Sequence, residues 1–201
     1  MMLNKLTKNT TPKEFSLSGL DLGGARSGIL ARHVAFNKSL TQLDLSRKSI
    51  QDTEGMDLAK MLFSNKVLRS LHLEGNNLGP KSAKEFGIAL RVNNTLRLLD
   101  LESNQLTQDG EDLAGIVQFI NALQHNKSLI SLNLANNKLE EPIDKEIRSM
   151  LEVNTTIIDF EFGFNSFRLP EVRKFLFNTM LRLARFRSCS GTTRLSTTLN
   201  D

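Results

Sequence analysis

Apolar residues recur along this chain in one fixed spacing, L-x-x-L-x-L-x-x-N-x-L. It runs through Leu68, Leu71, Leu73, Asn76 and Leu78, then Leu96, Leu99, Leu101, Asn104 and Leu106, then Leu129, Leu132, Leu134, Asn137 and Leu139. A copy without the asparagine holds Leu40, Leu43, Leu45 and Ile50, and weaker copies at the ends hold Leu17, Leu20 and Leu22, and Ile157, Phe160, Phe162, Asn165 and Phe167. Successive first positions lie 23, 28, 28, 33 and 28 residues apart, so the chain reads as six copies of one unit with a modal period of 28. The L-x-L triplet alternates with period 2 and predicts a short strand, its leucines inward and its middle residue outward. Between triplets the period becomes helical. Leu58, Ala59, Met61 and Leu62 precede the third strand, Ala83, Phe86, Ala89 and Leu90 the fourth, and Met150 and Leu151 the sixth. Such units cannot bury their apolar sides alone, so they are predicted to stack in parallel around one shared core.

Two sets of asparagines punctuate the repeat. Asn76, Asn104, Asn137 and Asn165 stand where the chain turns off the strand, where an amide can satisfy backbone groups of its own turn and of the neighbouring repeat. Ala25 and Lys48 replace it in the first two copies, so this ladder is expected to start at the third strand. A second set, Asn37, Asn65, Asn93, Asn126 and Asn154, falls three residues before each first leucine. These are expected just past each helix end, in the left-handed conformation that asparagine tolerates. Four of them, and Asn9, also spell N-x-S/T. The N-terminus shows no signal-peptide pattern, so helix termination in an intracellular protein is the reading preferred over glycosylation.

A 28-residue strand-plus-helix unit resembles the ribonuclease-inhibitor-like class of leucine-rich repeats. That likeness implies a right-handed α/β solenoid, a horseshoe of about six repeats with a parallel concave sheet, convex helices and a C-terminal capping helix. Within the class, NNTLRLLDLESNQLTQDG, HNKSLISLNLANNKLEE and VNTTIIDFEFGFNSF are similar to the C-terminal half of tropomodulins and leiomodins. The phenylalanine-rich last copy followed by a long helix adds to the similarity, which spans roughly residues 15 to 187. Much of it is the repeat frame shared with ciliary, immune-receptor and GTPase-activating proteins. By resemblance alone, an actin-like cytoskeletal partner is implied.

Strict alternation also fixes which side chains face outward. Inside each triplet stand Asp21, Asp44, His72, Asp100, Asn133 and Glu161, followed by Gly23, Ser46, Glu74, Glu102, Ala135 and Gly163. Six of these twelve are acids and none is lysine or arginine, which predicts an acidic concave face for a protein partner with a basic surface. Aspartate is common here in the repeat frame, so part of the signal is generic. The expected partner-binding residues of this face are Asp44, His72, Glu74, Asp100, Glu102 and Glu161. His72 between Asp44 and Asp100 invites a test for catalysis or metal binding. No nucleophile, oxyanion donors or closed pocket accompany it, and no P-loop, H-E-x-x-H or G-x-S-x-G string occurs. The expectation is therefore no enzyme, no metal and no cofactor.

The remaining composition narrows the function further. The chain has 201 residues, 39% hydrophobic and 24% charged, with one cysteine, so it is globular and has no disulfide framework. Residues 1 to 167 carry 19 basic and 20 acidic side chains, and residues 168 to 201 carry 7 and 2. The basic balance thus lies at the C-terminus, which disfavours a nucleic-acid-binding domain. From Pro170, a helical face of Val172, Phe175, Leu176, Met180, Leu183 and Phe186 is expected to cap the solenoid. Phe177 and Leu181, amid Lys174 and Arg185, form a second face for a partner, unless the helix kinks and buries both. The alternative function is binding of nucleic acid or an anionic membrane through this helix. The fourth unit is five residues longer, within Thr107 to Asn126, read either as an added helical turn on the convex side that a partner recognises or as a harmless lengthening. The domain reading is a cap segment at 1–14, repeats at 15–167, a basic amphipathic helix at 168–187 and a disordered tail at 188–201. The function expected is a non-catalytic adaptor or structural subunit, cytoplasmic, on the cytoskeleton or in a cilium or flagellum.

Overall fold

A computed structural model describes residues 2–16, 25–141 and 143–166. The expected C-terminal helix, with Lys174, Phe177, Leu181 and Arg185, and the tail beyond it lie outside the described residues. Elements alternate along the chain: α1 (Met2–Thr7), β1 (Glu14–Ser16), α2 (Ala25–Ala35), β2 (Gln42–Asp44), α3 (Asp52–Ser64), β3 (Ser70–His72), α4 (Pro80–Leu90), β4 (Leu98–Asp100), α5 (Ala114–Leu123), β5 (Ser131–Asn133), α6 (Ile143–Val153) and β6 (Asp159–Glu161). The six strands form one parallel sheet in sequence order, and successive helices pack on one another. This is a leucine-rich-repeat solenoid.

Each apolar position of the repeat becomes a column through the core. Leu43, Leu71, Leu99, Leu132 and Phe160 stack in register, and Leu40, Leu68, Leu96, Leu129 and Ile157 are wholly buried beside them. From the helix side, Leu58, Leu62, Phe86, Leu90, Phe119 and Leu123 close the same core. Capping crosses repeats as well. Asp52 accepts from Gly79 N at 2.9 Å and Ser82 N at 2.7 Å, so a side chain of α3 satisfies the start of α4, where Pro80 takes the first helical position.

The first repeat begins earlier than its leucines suggest. β1 pairs Phe15 with Leu43 and Ser16 with Asp44, so its period is the regular 28 residues and not 23. Phe15 replaces the second leucine and Pro12 the first, which hides the copy from a leucine count. Ser16, not Asp21, is therefore the outward equivalent of Asp44, and residues 17 to 24 lie outside the described residues.

The strand-side asparagine ladder starts at Asn76, as the pattern indicates. Asn76 Nδ2 donates to Leu45 O and Leu73 O, while its Oδ1 accepts from Lys48 N and Ile50 N. Asn165 repeats the arrangement, and Asn104 makes the equivalent donations while its Oδ1 accepts from Leu78 N. Asn137 departs from it: its Nδ2 donates to Leu101 O, but its buried Oδ1 has no partner. The cause is the longer fourth unit. Its extra residues form a turn between β4 and α5, with Gln108, Asp109 and Gly110 at positive φ, and α5 itself has only ten residues. The insertion is thus at the strand-to-helix edge and lengthens no helix. Thr107 Oγ1 holds this turn to the next repeat by donating to Asn137 O and Lys138 O, each at 3.1 Å.

The helix-side asparagines also differ from expectation. Asn65 is extended, at φ −72° and ψ 126°, and none of the five has positive φ. Each is buried and acts as a tie between repeats. Asn93 Nδ2 donates to Leu62 O and Asn65 O of the preceding repeat, and its Oδ1 accepts from Thr95 N and Leu96 N. Asn65, Asn126 and Asn154 make the same contacts, and Asn37 does so with Thr11 Oγ1 in place of the asparagine carbonyl. Their amides are occupied and shielded, so these N-x-S/T strings are not glycan acceptors in the folded chain.

The candidate concave face

In-register pairing turns each outward strand position into a row across the sheet. The central row is Ser16, Asp44, His72, Asp100, Asn133 and Glu161. Glu14 and Asp159 stand in the row two residues before, and Ser46, Glu74 and Glu102 just past the strand ends. All six acidic-face residues named from the sequence are thus on one side of one sheet. Glu14 was missed with the first repeat; counting 28 residues back from Gln42 finds it.

Charge compensation differs between the two halves of this face. At the N-terminal end, Arg47 Nη2 meets Glu74 Oε1 at 2.6 Å, and His72 Nδ1 lies 3.9 Å from Asp100 Oδ2. The Asp100 carboxylate raises the pKa of His72 above its ordinary value against the opposing effect of burial, and Asp44 and Glu74 add to the rise. Burial alone would raise Asp44, but bonds from the Ser46 N–H and the Ser46 and Ser16 hydroxyls, with the nearby His72, hold it below the usual carboxylate range. At the other end, Glu102, Asn133, Asp159 and Glu161 line an open hollow of ≈ 350 Å³. Asn133 Nδ2 donates to Glu102 Oε2 at 2.8 Å and Ser131 Oγ to Asp159 Oδ2 at 2.7 Å, which orients both carboxylates without neutralising them. Glu161 keeps a raised pKa, from partial burial of its carboxyl group and then the charges of Asp159 and Glu102. Phe164, 89% exposed, stands at the rim of this hollow.

The arrangement can hold cations presented from outside. No group of three metal-ligating side chains converges among the described residues, and none of their helices is long and apolar enough to cross a membrane. Models of the leucine-rich repeat match residues 64–87 and 92–110, and a second such model matches 128–150. A search of curated proteins finds no match. Among solved structures, one described as leiomodin-1 actin-binding site 2 is similar at 20% identity and a TM-score of 0.56, over 94% of this chain and 90% of that one. The tropomodulin C-terminal domain of Caenorhabditis elegans is similar at 16% identity and a TM-score of 0.57, over 94% and 96%.

Proposed function

Because this chain is a leucine-rich-repeat solenoid that resembles the tropomodulin and leiomodin repeat domains, we propose that it is a non-catalytic protein-interaction module. Its concave sheet binds a basic surface of a partner protein, and the chain serves as an adaptor or structural subunit associated with the cytoskeleton. The observation that carries this reading is the set of Glu102, Asp159 and Glu161 around the hollow at β4–β6, none of which forms an ion pair among the described residues. Carboxylates in such a concavity repel one another until a guanidinium or ammonium group enters, and complementary charge adds to association rate and specificity. An open sheet does not exclude water, which favours binding over chemistry. Similarity to a leiomodin segment described as actin-binding makes actin the first partner to try.

The test compares the full chain with a variant carrying Asp100→Lys and Glu102→Lys. Binding is read with an oligo-lysine peptide by fluorescence anisotropy and with actin by filament-end elongation. Reversal is expected to weaken peptide binding at least tenfold, and unchanged affinity removes the concave face from the account. Wild-type protein without effect on elongation, while still binding the peptide, excludes actin and keeps the basic-partner reading.

A further inference from the structure

The parallel topology sends every helix-to-strand turn to one edge of the solenoid and every strand-to-helix turn to the other. The ten residues preceding each of the six strands contain eleven lysines and arginines and a single acid, Glu152. The stretches after strands β2 to β5, Leu45–Glu54, Leu73–Ser82, Leu101–Leu113 and Leu134–Glu146, carry eleven acids and five bases. Charge that nearly balances over residues 1–167 is thus separated in space. Among the described residues none of the eleven cations forms an ion pair, and ten of them are exposed.

The buried asparagine tie explains how this edge is presented. With Asn37, Asn65 and Asn126 turned inward, the next residues, Lys38, Lys66 and Lys127, are exposed. The preceding residue is outward too, and there Phe36 is 75%, Val92 56% and Val153 52% exposed. Lys38, Lys66 and Lys127 thus share this edge with the bare side chains of Phe36, Val92 and Val153, Ser64 and His125 taking the apolar position in the repeats between and Asn94 and Thr155 the cationic one. Cations and apolar tips along one edge match the headgroup and acyl boundary of an anionic bilayer. A nucleic acid would offer nothing to Val92 and Val153, which cannot stack on bases.

We propose that the helix-to-strand edge of this solenoid docks on anionic membrane surfaces, its lysines and arginines on the headgroups and Phe36 in the interface. This goes beyond the concave-face reading and does not depend on it, since the two surfaces have opposite charge. Docked by this edge, the protein would keep its acidic sheet open to a partner.

Sedimentation of the full chain with vesicles of phosphatidylserine in phosphatidylcholine tests the proposal. Binding is expected, falling with added salt and absent from pure phosphatidylcholine. One near-surface cation changes affinity about fivefold, so a Lys38→Glu, Lys66→Glu, Arg91→Glu variant is expected to lose on the order of 100-fold or more. Phe36→Ser, at an exposed position and so without cost to folding, is expected to weaken binding severalfold. Circular dichroism confirms that both variants are folded. The proposal is overturned if vesicles do not bind, or if binding survives the edge variants and is lost instead on reversing Arg173, Lys174, Arg182 and Arg185. Equal loss of affinity for single-stranded RNA with no vesicle binding also overturns it.

Discussion

Truncating Asn93 to alanine tests whether the helix-side asparagines hold the repeats together. Asn93 is 2% exposed and ties its own turn to the preceding repeat through both ends of its amide. Alanine leaves Thr95 N and Leu96 N without their acceptor, and Leu62 O and Asn65 O without the donated amide. A buried backbone N–H without a partner costs about 1–3 kcal/mol, so two such groups predict a loss of about 2–6 kcal/mol. Asn137 is the internal control, equally buried but with an idle Oδ1. The carbonyls it serves keep other donors: Asn104 Nδ2 on Leu101 O, Asn165 Nδ2 on Leu134 O and Ser103 N on Ala135 O. Asn137→Ala is therefore predicted to cost about 1–2 kcal/mol. Urea unfolding of the full chain, followed by far-ultraviolet circular dichroism, measures both. If Asn137→Ala costs as much as Asn93→Ala, satisfaction of turn N–H groups is not what these amides supply, and the reasoning fails.

Two further predictions rest on packing and on charge. A Cβ at Gly115 would overlap the backbone of Pro80, which cannot yield without moving α4, so Gly115→Ala is expected to cost about 1–3 kcal/mol despite alanine's better helix propensity. Gly163→Ala, where a Cβ meets nothing within 4 Å, is the matched control and is expected to leave the melting temperature unchanged. Glu161 has a raised pKa in the folded chain, so its contribution to stability is fully present below the ordinary glutamate value of 4.5 and is lost as pH rises through the folded value. Glu161→Gln is accordingly expected to raise the melting temperature at neutral pH, with the gain vanishing under more acidic conditions, and to weaken oligo-lysine binding. An equal gain at all pH values would show that the charge of Glu161 is irrelevant.

Strand alternation and the 28-residue period made the solenoid and its inward columns legible, because a leucine at a fixed offset has one place to go when the partner strand is in register. The six residues expected on the concave face share that face for the same reason. Three features were not legible, each for a physical cause. Phe15 fills a leucine position with a different apolar shape, and Pro12 removes the first leucine, so the first copy was displaced by five residues. The five-residue insertion fell between two periodic segments, and sequence alone does not say whether a helix lengthens or a turn does. The structure answers with left-handed Gln108 and Asp109, polar residues that accept that conformation. For the helix-side asparagines, conformational tolerance and hydrogen bonding compete, and burial decides for the bonds.

The charged edges show why a net charge near zero says little about a repeat protein. In a globular fold without repetition, 19 bases and 20 acids among residues 1–167 would be scattered over the surface, and their cancellation would weaken any long-range field. A solenoid maps each phase of its period to one side of the molecule, so composition must be counted by phase and not by segment. Counted that way, the helix-to-strand phase is cationic in the first five units and loses its bases in the sixth, where only Glu152 is charged. The acids follow the opposite course, with Asp109, Glu111 and Asp112 in the long turn after β4 and Glu140 and Glu141 after β5. The field therefore rotates along the solenoid, from a basic edge at its start to an acidic face and edge near its described end. A membrane and a basic protein could be held at once only because these surfaces are separated in this way. Reversing Lys38, Lys66 and Arg91 should leave oligo-lysine binding intact, while reversing Asp100 and Glu102 should leave vesicle binding intact. Loss of both activities in either variant would mean that one surface does both jobs.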